Sequence, residues 1–583
     1  MRRALAMFLL AATVSPAASS SRQLRLAVVQ LSPGPSLQAN LERMLEWIGE
    51  ASRQRARVVV FPEAALHATG RTVDHDLQAA TEAIQRSAQR HQLYVLYGGL
   101  HWSGRRQKET NWMKVISPAG AELLHYDKLW EIRDAPAPEL FQIDGIPAGA
   151  ILCADRWLRG LEDLPVQRGA QILFELSNNF AVEWVPELQW YWYVPRALRN
   201  SVWVVFANSG NRIPGQPEPW SKDGPRHGHS AVIAPDGSLA AAAHDDGEQL
   251  LVADIEVSRA SRAEALARRQ HPVVGRFWRA GLEQLLNTSS STPMLAQKDC
   301  PNTELTVATA QIAETSQPDR NALALAERIA EASRRGADLI VFGELTLTAG
   351  RAISSEKVLP LLCQAAKAGR ITVVFGMPWQ QDGKWRNSAF VLGPDGSLLT
   401  RYDQMVASRP FDSGRQPASM WFEVRGVPAV VTIGKEVLWN EFAELAAVAG
   451  ARLLIHLARQ PVPDRAAHLR RRQTGAAFAS YGTLTVMANA AGYSAIWEDL
   501  NASEETRSVL QKLPRPEFGP ALIFSPFSAN LVAEAGQGPS LILARRRIPG
   551  RNDHYPRRTA RFHPSMAAWY VRGASILMGQ PAQ

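Results

Sequence analysis

The sequence predicts two α/β domains in tandem, built from one domain by duplication. Matching positions recur at a constant spacing, since Gln30 and Gln311, like Asn208 and Asn489, are separated by 281 residues. Each half also alternates short β-branched runs with segments of helical periodicity, a pattern typical of α/β domains. A repeat of this length is a whole domain, because solenoid repeats span only about 20 to 50 residues.

The predicted elements of the first half follow one another in a regular order. Residues 24–31 form an apolar strand, and apolar side chains then recur at helical spacing from Leu37 to Ile48. A second β-branched run, residues 57–61, stops at Pro62. Further strands are predicted over residues 93–98, 146–152, 171–176, 202–207 and 229–235. The second half repeats this order, beginning near residue 305.

Length and composition agree with two globular domains. The chain has 583 residues, of which 46% are hydrophobic, enough for two cores of about 100 to 250 residues each. A net charge of +9 is spread thinly over this length, and the basic runs at residues 470–472 and 545–547 accompany no nucleic-acid-binding motif. We therefore expect no nucleic acid partner.

The N-terminal residues are typical of an export signal. A basic start, Arg2 and Arg3, precedes an apolar stretch of 11 residues, 4–14, and small residues at 17–21. This stretch is shorter than the about 20 residues that cross a bilayer. We expect a signal peptide over residues 1–22, an exported protein that is periplasmic or secreted, and no stable membrane anchor.

The remaining chain divides at a Ser/Thr/Pro-rich segment, which we interpret as a linker over residues 287–303. The first domain is then expected over residues 23–286 and the second over residues 304–583.

Three residues of the first half together indicate acyl-transfer chemistry. Glu63 and Cys153 each follow a predicted strand, and Lys128 lies between them in the sequence. A cysteine attacks as its thiolate, so a base must take its proton, and a carboxylate can do so and later protonate a departing amine. A lysine can stabilise the oxyanion that forms. No metal-ligand spacing is present, and we expect neither metal nor cofactor.

The second half keeps the acid of this trio and loses the other two residues. The acid returns as Glu344, whereas the lysine becomes Gln404 and the cysteine becomes Gly434. Glycine carries no nucleophile, so we expect the second domain to be non-catalytic.

The segments around the trio resemble the nitrilase or carbon–nitrogen hydrolase superfamily. The motifs that carry this resemblance are Phe61-Pro62-Glu63, Tyr126-Asp127-Lys128 and Leu152-Cys153-Ala154-Asp155. The resemblance implies an α-β-β-α sandwich in each half and hydrolysis of a small-molecule amide through a thioester. It also implies that Glu63 is the general base, Lys128 the oxyanion stabiliser and Cys153 the nucleophile.

The resemblance further implies a second glutamate between the lysine and the cysteine. Glu131 and Glu139 both lie in this interval, and Glu139 is preferred. Ala154 and Trp157 adjoin the nucleophile and are expected to contact the substrate. The tryptophans in the surrounding segments fit an acyl pocket and core packing equally well; they are Trp130, Trp157, Trp184, Trp190 and Trp192.

Two departures from the family pattern leave alternatives open. Arg199 stands where the family usually has an acid, and Ala154-Asp155 replaces the Trp-Glu that follows the cysteine of nitrile hydrolases. An amidase is therefore the leading interpretation. An acyltransferase that uses the same thioester, and a ligand- or partner-binding protein without turnover, are the alternatives.

The resemblance implies an arrangement for the second domain as well. Domains of this family commonly pair face to face, so the second domain is expected to take the place of a partner subunit as an intrachain pseudo-dimer. Alternatively, the second domain binds a ligand or partner through the remnant of its pocket around Glu344. A homo-oligomer of the whole chain stays open, as does a disulfide between Cys300 and Cys363.

Overall fold

The computed structural model describes residues 22–67, 74–103, 108–129, 139–157, 159–211, 225–284, 300–500, 529–550 and 564–579. Residues 1–21 of the predicted signal peptide and residues 287–299 of the predicted linker lie outside this part of the chain.

The first unit is built from alternating strands and helices. Its strands are β1 (Gln23–Gln30), β2 (Val58–Val60), β3 (Leu66–His67), β4 (Tyr94–Ser103), β5 (Lys108–Ile116), β6 (Glu122–Asp127), β7 (Phe141–Ile143), β8 (Ile146–Leu152), β9 (Ile172–Ser177), β10 (Trp203–Asn208), β11 (Ala231–Ile233), β12 (Leu239–Ala242) and β13 (Gln249–Glu256). Its helices are α1 (Leu37–Arg53), α2 (Asp74–His91), α3 (Arg159–Arg168), α4 (Val194–Asn200), α5 (Ala263–Gln270) and α6 (Val274–Gln284).

The second unit repeats this series. Its strands are β14 (Thr303–Gln311), β15 (Leu339–Phe342), β16 (Thr372–Gln381), β17 (Lys384–Leu392), β18 (Leu398–Asp403), β19 (Trp421–Val424), β20 (Val427–Ile433), β21 (Leu453–Ala458), β22 (Leu484–Asn489), β23 (Ala495–Glu498), β24 (Asn530–Glu534) and β25 (Ser540–Ile548). Its helices are α7 (Pro318–Arg334), α8 (Leu359–Gly369), α9 (Glu441–Val448), α10 (Arg465–Ala479) and α11 (Pro564–Leu577).

Two mixed sheets face each other in the first unit. One has the order β13-β1-β2-β4-β5-β6, with β3 beside β4, and the other has the order β12-β11-β10-β9-β8-β7. Strand β1 shows how the layers form, because successive side chains point to opposite faces. Val28 packs into the core that also holds Val205 of the second sheet, whereas Val29 packs with Met44 of α1 and Ile84 of α2.

The second unit has the same layers. Its sheets have the orders β18-β17-β16-β15-β14-β25 and β19-β20-β21-β22-β23-β24, and α7 and α8 cover the first of them. Strands β8 and β20 begin and end 281 positions apart, the spacing seen in the sequence. The predicted tandem α-β-β-α sandwich is confirmed.

The two units pack against each other through their helices. The stacked rings of Phe277 on α6 and Trp569 on α11 lie 4.5 Å apart, centroid to centroid. Buried charges also cross the interface, since Arg268 Nη1 lies 3.3 Å from Glu441 Oε1 and Trp278 Nε1 donates to the same oxygen at 2.5 Å. The units therefore form an intrachain pair, as predicted.

Two further features are the hydropathy of the helices and the state of the thiols. Within the described residues, no helix is both long enough and apolar enough to span a bilayer. All three cysteines are free thiols, so the disulfide that the sequence left open between Cys300 and Cys363 does not form in this structure.

Candidate active site

The chain turns sharply at Cys153. Strand β8 ends at Leu152, and a 3-10 turn, Cys153–Trp157, begins at the cysteine itself. Cys153 has a φ of +44°, a left-handed conformation that is uncommon outside glycine and costs free energy. Backbone strain of this kind clusters at functional sites. The thiol-bearing residue is half-buried in this turn.

Glu63 and Lys128 form a buried ion pair. Lys128 Nζ lies 2.5 Å from Glu63 Oε1, and Asn111 Nδ2 donates to the same oxygen at 2.5 Å. The carboxylate is 3% exposed and the lysine 7%. The backbone of Lys128 also bonds to Asn111, with its N–H donating to the Asn111 carbonyl at 2.9 Å. Segments that follow β2 and β6 of one sheet thus bring the acid and the cation together, and Asn111 on β5 bonds to both.

The charges of this pair act on the thiol. Burial and the negative charge of Glu63 raise the pKa of Cys153 to about 12, although Lys128 and Arg156 oppose this shift. The structure therefore brings Glu63, Lys128 and Cys153 together. At neutral pH the thiol carries its proton, so a nearby base must remove it during a reaction.

Arg156 is a part of the site that sequence reasoning missed. Its Nη1 lies 3.8 Å from Cys153 Sγ and donates to Asn179 Oδ1 at 3.0 Å. Glu175 and Glu183 neutralise the guanidinium at 3.1 and 2.7 Å. The signal that would have found this arginine is its place in the turn after the cysteine, three residues beyond the nucleophile.

Asp155 links the turn at Cys153 to the segment that carries Lys128. Its Oδ2 accepts hydrogen bonds from the Tyr126 hydroxyl and from the backbone N–H of Leu129, the latter at 3.2 Å. Asp155 is completely buried. The sequence motif includes this aspartate, but only the structure shows that it holds two segments in register.

The three residues expected to contact substrate differ in their placement. Ala154 and Trp157 are half-buried in the turn that begins at Cys153. Glu139 is exposed, and its charge acts on Arg168. Within the described residues, no contact joins Glu139 to the trio. Its competitor, Glu131, lies outside the described residues.

The tryptophans near the site divide into two groups. Trp190 and Trp192 are buried in a hydrophobic cluster with their neighbours on the second sheet, so their role is packing. Trp157 and Trp184 are half-buried. Trp184 stacks on His229 with 3.7 Å between ring centroids. Trp130 lies outside the described residues.

Arg199, the departure from the family motif, lies in a buried ion network. Its Nε donates to Asp163 Oδ2 at 2.9 Å, and Asp163 in turn pairs with Arg268 at 2.8 Å. The network extends into the second unit, because Arg268 also pairs with Glu441 of that unit. The arginine therefore belongs to the packing between units, and its presence is no argument against catalysis.

The matching site of the second unit keeps the backbone and changes the chemistry. Gly434 has a φ of +57°, like the cysteine that it replaces. Gln404 Nε2 donates to the Ile433 carbonyl at 2.9 Å, and Asn387 Nδ2 donates to Glu344 Oε1 at 2.6 Å. A Cβ at Gly434 would lie 2.9 Å from Gln404 Nε2, so the amide occupies space beside the missing thiol.

The arrangement offers acid–base and nucleophilic chemistry from side chains alone. In the part of the chain that the structure describes, no group of three His, Cys, Asp or Glu side chains is placed to hold a metal ion.

Known proteins resemble this chain over about the length of one unit. A deaminated glutathione amidase from Synechocystis sp. (strain PCC 6803 / GT-S) is 28% identical over 264 residues, which are 40% of this chain and 92% of that protein. Omega-amidase NIT2 of Bos taurus is 26% identical over 265 residues, 40% of this chain and 89% of that protein. Among solved structures, an amidase from Nesterenkonia sp. has 18% identity and a TM-score of 0.35, covering 42% of this chain and 95% of its own.

The family comparison extends over both units. Residues 25–265 and residues 306–539 each match the family described as carbon–nitrogen hydrolase. These two regions make up more than half of the chain, and the second begins close to the start of β14. The chain therefore belongs to the carbon–nitrogen hydrolase family and carries the family's domain twice.

Proposed function

We propose that this protein is an exported thiol amidase whose first unit hydrolyses the carbon–nitrogen bond of a small-molecule amide. The observation that carries the proposal is the buried Glu63–Lys128 pair beside the half-buried thiol of Cys153. The names of two relatives, both amidases, support an amide as the substrate class.

The first half of the reaction forms a thioester. Glu63 takes the Sγ proton of Cys153 as the sulfur adds to the amide carbonyl, and the carbonyl π electrons move to oxygen. The Lys128 ammonium and a backbone N–H beside Cys153 stabilise the oxyanion. The oxyanion then collapses, the C–N bond breaks, and Glu63 gives the proton to the departing amine.

The second half regenerates the enzyme. Glu63, again a carboxylate, takes a proton from water as the water oxygen attacks the thioester carbonyl. The C–S bond breaks, the carboxylic acid product leaves, and the proton on Glu63 returns to the sulfur. The high pKa of Cys153, about 12, makes this returning step favourable and makes the base indispensable in the first one.

The second unit is proposed to be non-catalytic. Gly434 supplies no nucleophile, and Gln404 supplies no cation for an oxyanion. Its Glu344 occupies the position that matches the general base and is half-buried there, but no thiol is present for it to deprotonate.

Ammonia release from a panel of small primary amides tests this function. The full chain and a Cys363→Ala control are expected to release ammonia at the same rate. Cys153→Ala is expected to lose turnover by more than about 1,000-fold, because the nucleophile is gone. Undiminished turnover in Cys153→Ala would contradict the proposal. Tight binding of amides with no turnover in the wild type would indicate a binding protein.

Product analysis separates hydrolysis from acyl transfer. With an added primary amine, a hydrolase still yields mainly the carboxylic acid, whereas an acyltransferase yields mainly the new amide.

Export is supported by the basic and apolar N-terminal residues, which lie outside the described part of the chain. Expression of the full chain in a bacterium that has a periplasm tests it. We expect the protein in the periplasmic fraction with its N-terminus near residue 23. An intact Met1 in the cytoplasmic fraction would contradict export.

A further inference from the structure

The second unit contains an open cavity of about 650 Å³ at the position of the lost active site. Glu344, Gln404 and Gly434 line it. Arg459, after β21, and Arg471, on α10, line it as well. Residues of the first unit also reach the cavity, including Leu198. A cavity therefore persists although the nucleophile and the lysine are gone.

Arg471 is a buried cation at the wall of this cavity. It is 6% exposed, and its Nε donates to the Tyr493 carbonyl at 2.9 Å. Its Nη2 is buried and has no hydrogen-bond partner among the described residues. A buried N–H without a partner costs free energy, and a charge-assisted bond to an anion would recover it.

Arg471 lacks a buried carboxylate partner of the kind that Arg156 and Arg196 have in the first unit. In the first unit, buried Glu175 pairs with Arg156 and Arg196. The matching position, 281 residues later, is His456, and burial together with the charge of Arg471 lowers its pKa to about 3. The carboxylate of the first unit is thus replaced by a neutral imidazole.

Three other acids near the cavity already have cationic partners. Asp236 of the first unit lines the cavity and pairs with Arg259 at 2.8 Å. Glu534 acts on the charge of Arg471, but its carboxylate is held by Arg472 at 2.5 Å and by His468 at 3.1 Å. Glu314 pairs with Arg459. Exposed Arg470 adds a further positive charge to the cavity lining.

Uncharged polar groups also line the cavity. Gln404 and Asn387 present amides beside Gly434, and burial raises the pKa of Glu344. Side chains such as Leu438 and Met487 add apolar surface between the polar groups. The cavity thus combines guanidinium groups, apolar surface and uncharged amides. Lys435 also lines it, and its ammonium is paired with Glu264 of the first unit at 2.5 Å.

We propose that this cavity is a non-catalytic binding site for a small organic carboxylate, whose anionic end pairs with Arg471 and whose uncharged polar end lies beside Gln404 and Gly434. The proposal does not depend on catalysis in the first unit. Because Leu198 of the first unit also lines the cavity, a bound carboxylate would contact both halves of the chain.

Calorimetric titration of the full chain carrying Cys153→Ala tests the site, since this change prevents turnover of the probe. Glutaramate has a carboxylate at one end and an amide at the other, and glutaramide is its uncharged counterpart. We expect glutaramate to bind at least about tenfold more tightly than glutaramide, because only glutaramate forms the charge-assisted bonds.

Two variants assign the binding to the second unit. Arg471→Gln removes the cation, and Gly434→Ser places a side chain in the cavity while leaving Arg471 intact. Cys153 shows that a left-handed residue in this turn can carry a side chain. The new Cβ would lie 2.9 Å from Gln404 Nε2, so the Gln404 amide is expected to shift. Both changes are expected to weaken glutaramate binding at least about tenfold. Arg465→Gln, an exposed position on the same helix, is the matched control and is expected to leave binding unchanged.

Three outcomes would overturn the proposal. They are an absence of glutaramate binding, equal affinity for glutaramide, and affinity that both Arg471→Gln and Gly434→Ser leave unchanged. Glutaramate binding that is weakened only by substitutions in the first unit is a case of the third outcome, because the ligand is then bound by the first unit. Far-UV circular dichroism and the unfolding midpoint of each variant establish that it is folded.

Discussion

Cys153 and Glu63 form an acid–base pair in which the carboxylate both raises the pKa of the thiol and accepts its proton. Burial and the charge of Glu63 raise the pKa of Cys153 to about 12, while Lys128 and Arg156 oppose this shift. The cationic groups are therefore placed to stabilise negative charge once it has formed, and the carboxylate is placed to start its formation.

The pH dependence of alkylation tests these charge effects. Iodoacetamide reacts with the thiolate, so its rate at Cys153 against pH reports the pKa. We expect a midpoint well above the about 8.5 of a free thiol in the wild type. Glu63→Gln removes a negative charge and is expected to lower the midpoint, whereas Lys128→Met removes a positive charge and is expected to raise it. Mass spectrometry identifies Cys153 as the labelled residue. Midpoints that shift in the opposite directions would contradict these effects of Glu63 and Lys128 on the thiol pKa.

Glu63→Gln is expected to lower turnover, although it is expected to increase the fraction of Cys153 present as thiolate. Although more thiolate is present, the proton that the leaving amine needs is missing, so we expect kcat to fall by about 100- to 10,000-fold. Glu344→Gln, the matched change in the second unit, is expected to leave kcat unchanged. Equal losses in both variants, measured by ammonia release, would show that the two acids act through the fold alone.

At the scale of residues, the sequence predicted the strand-end positions of candidate residues that directly follow an apolar run. Glu63 and Cys153 follow strands that are visible as apolar runs. Arg156 was missed although its place three residues beyond Cys153, in the same turn, could have found it. Asn179 was missed because its approach to the thiol depends on how separate segments, the turn after β8 and the end of β9, come together. Such contacts leave no periodic signal in the sequence.

Among the elements, a buried carboxylate links two segments in each half of the chain. In the first unit it links the turn after β8 to the end of β6, and in the second unit it links the turn after β20 to the end of β18. Asp155 accepts hydrogen bonds from Tyr126 and Leu129 in the first unit. Glu436, 281 positions later, accepts a hydrogen bond from Tyr402 at 2.7 Å in the second. The link therefore persists where catalysis is not expected, which indicates that it stabilises the fold in both units and positions Lys128 only in the first.

Matched variants of this link separate its two effects. Asp155→Asn is expected to lower kcat by about 100-fold, because small displacements of a catalytic group have effects of this size. Glu436→Gln is expected to leave kcat unchanged, although the free energy of unfolding falls by about 1 to 3 kcal/mol. Steady-state kinetics and denaturant titration measure the two quantities. An unchanged kcat in Asp155→Asn would contradict a positioning role.

The sequence predicted the elements well where both faces of a strand are buried. Strand β8 begins and ends where its apolar run predicts. Strand β11 is shorter than the predicted 229–235, because Gly228 and His229 have φ values of +64° and +53° and delay its start. The sequence could not predict where Glu139 lies, because this residue is outside the strands and helices and no sequence periodicity specifies the path of its segment.

For the molecule as a whole, the two matching units pack against each other within one chain. The constant spacing in the sequence was enough to predict two units. The buried charges between them, such as Arg268 and Glu441, became visible only in the structure. We expect the two units to unfold as one cooperative transition, because these charges are buried only while both units are folded.

Glu441→Ala tests this coupling. It leaves Arg268 buried without this partner and removes the acceptor of Trp278, so we expect the free energy of unfolding to fall by about 3 to 5 kcal/mol. Glu304→Ala, which breaks an exposed pair with Arg545, is the control and is expected to change it by less than about 1 kcal/mol. Urea titration followed by circular dichroism measures both. A loss at Glu441 no larger than at Glu304 would contradict the coupling.

The central claim is that the first unit forms a thioester on Cys153. Glu63→Gln allows this intermediate to be trapped with a p-nitrophenyl ester, because that leaving group needs no proton while hydrolysis of the thioester lacks its base. Peptide mapping by mass spectrometry after an acid quench is expected to find the acyl group on Cys153, sensitive to hydroxylamine, with Cys300 and Cys363 unmodified. An unmodified Cys153, or an acyl group found only elsewhere, would contradict the account.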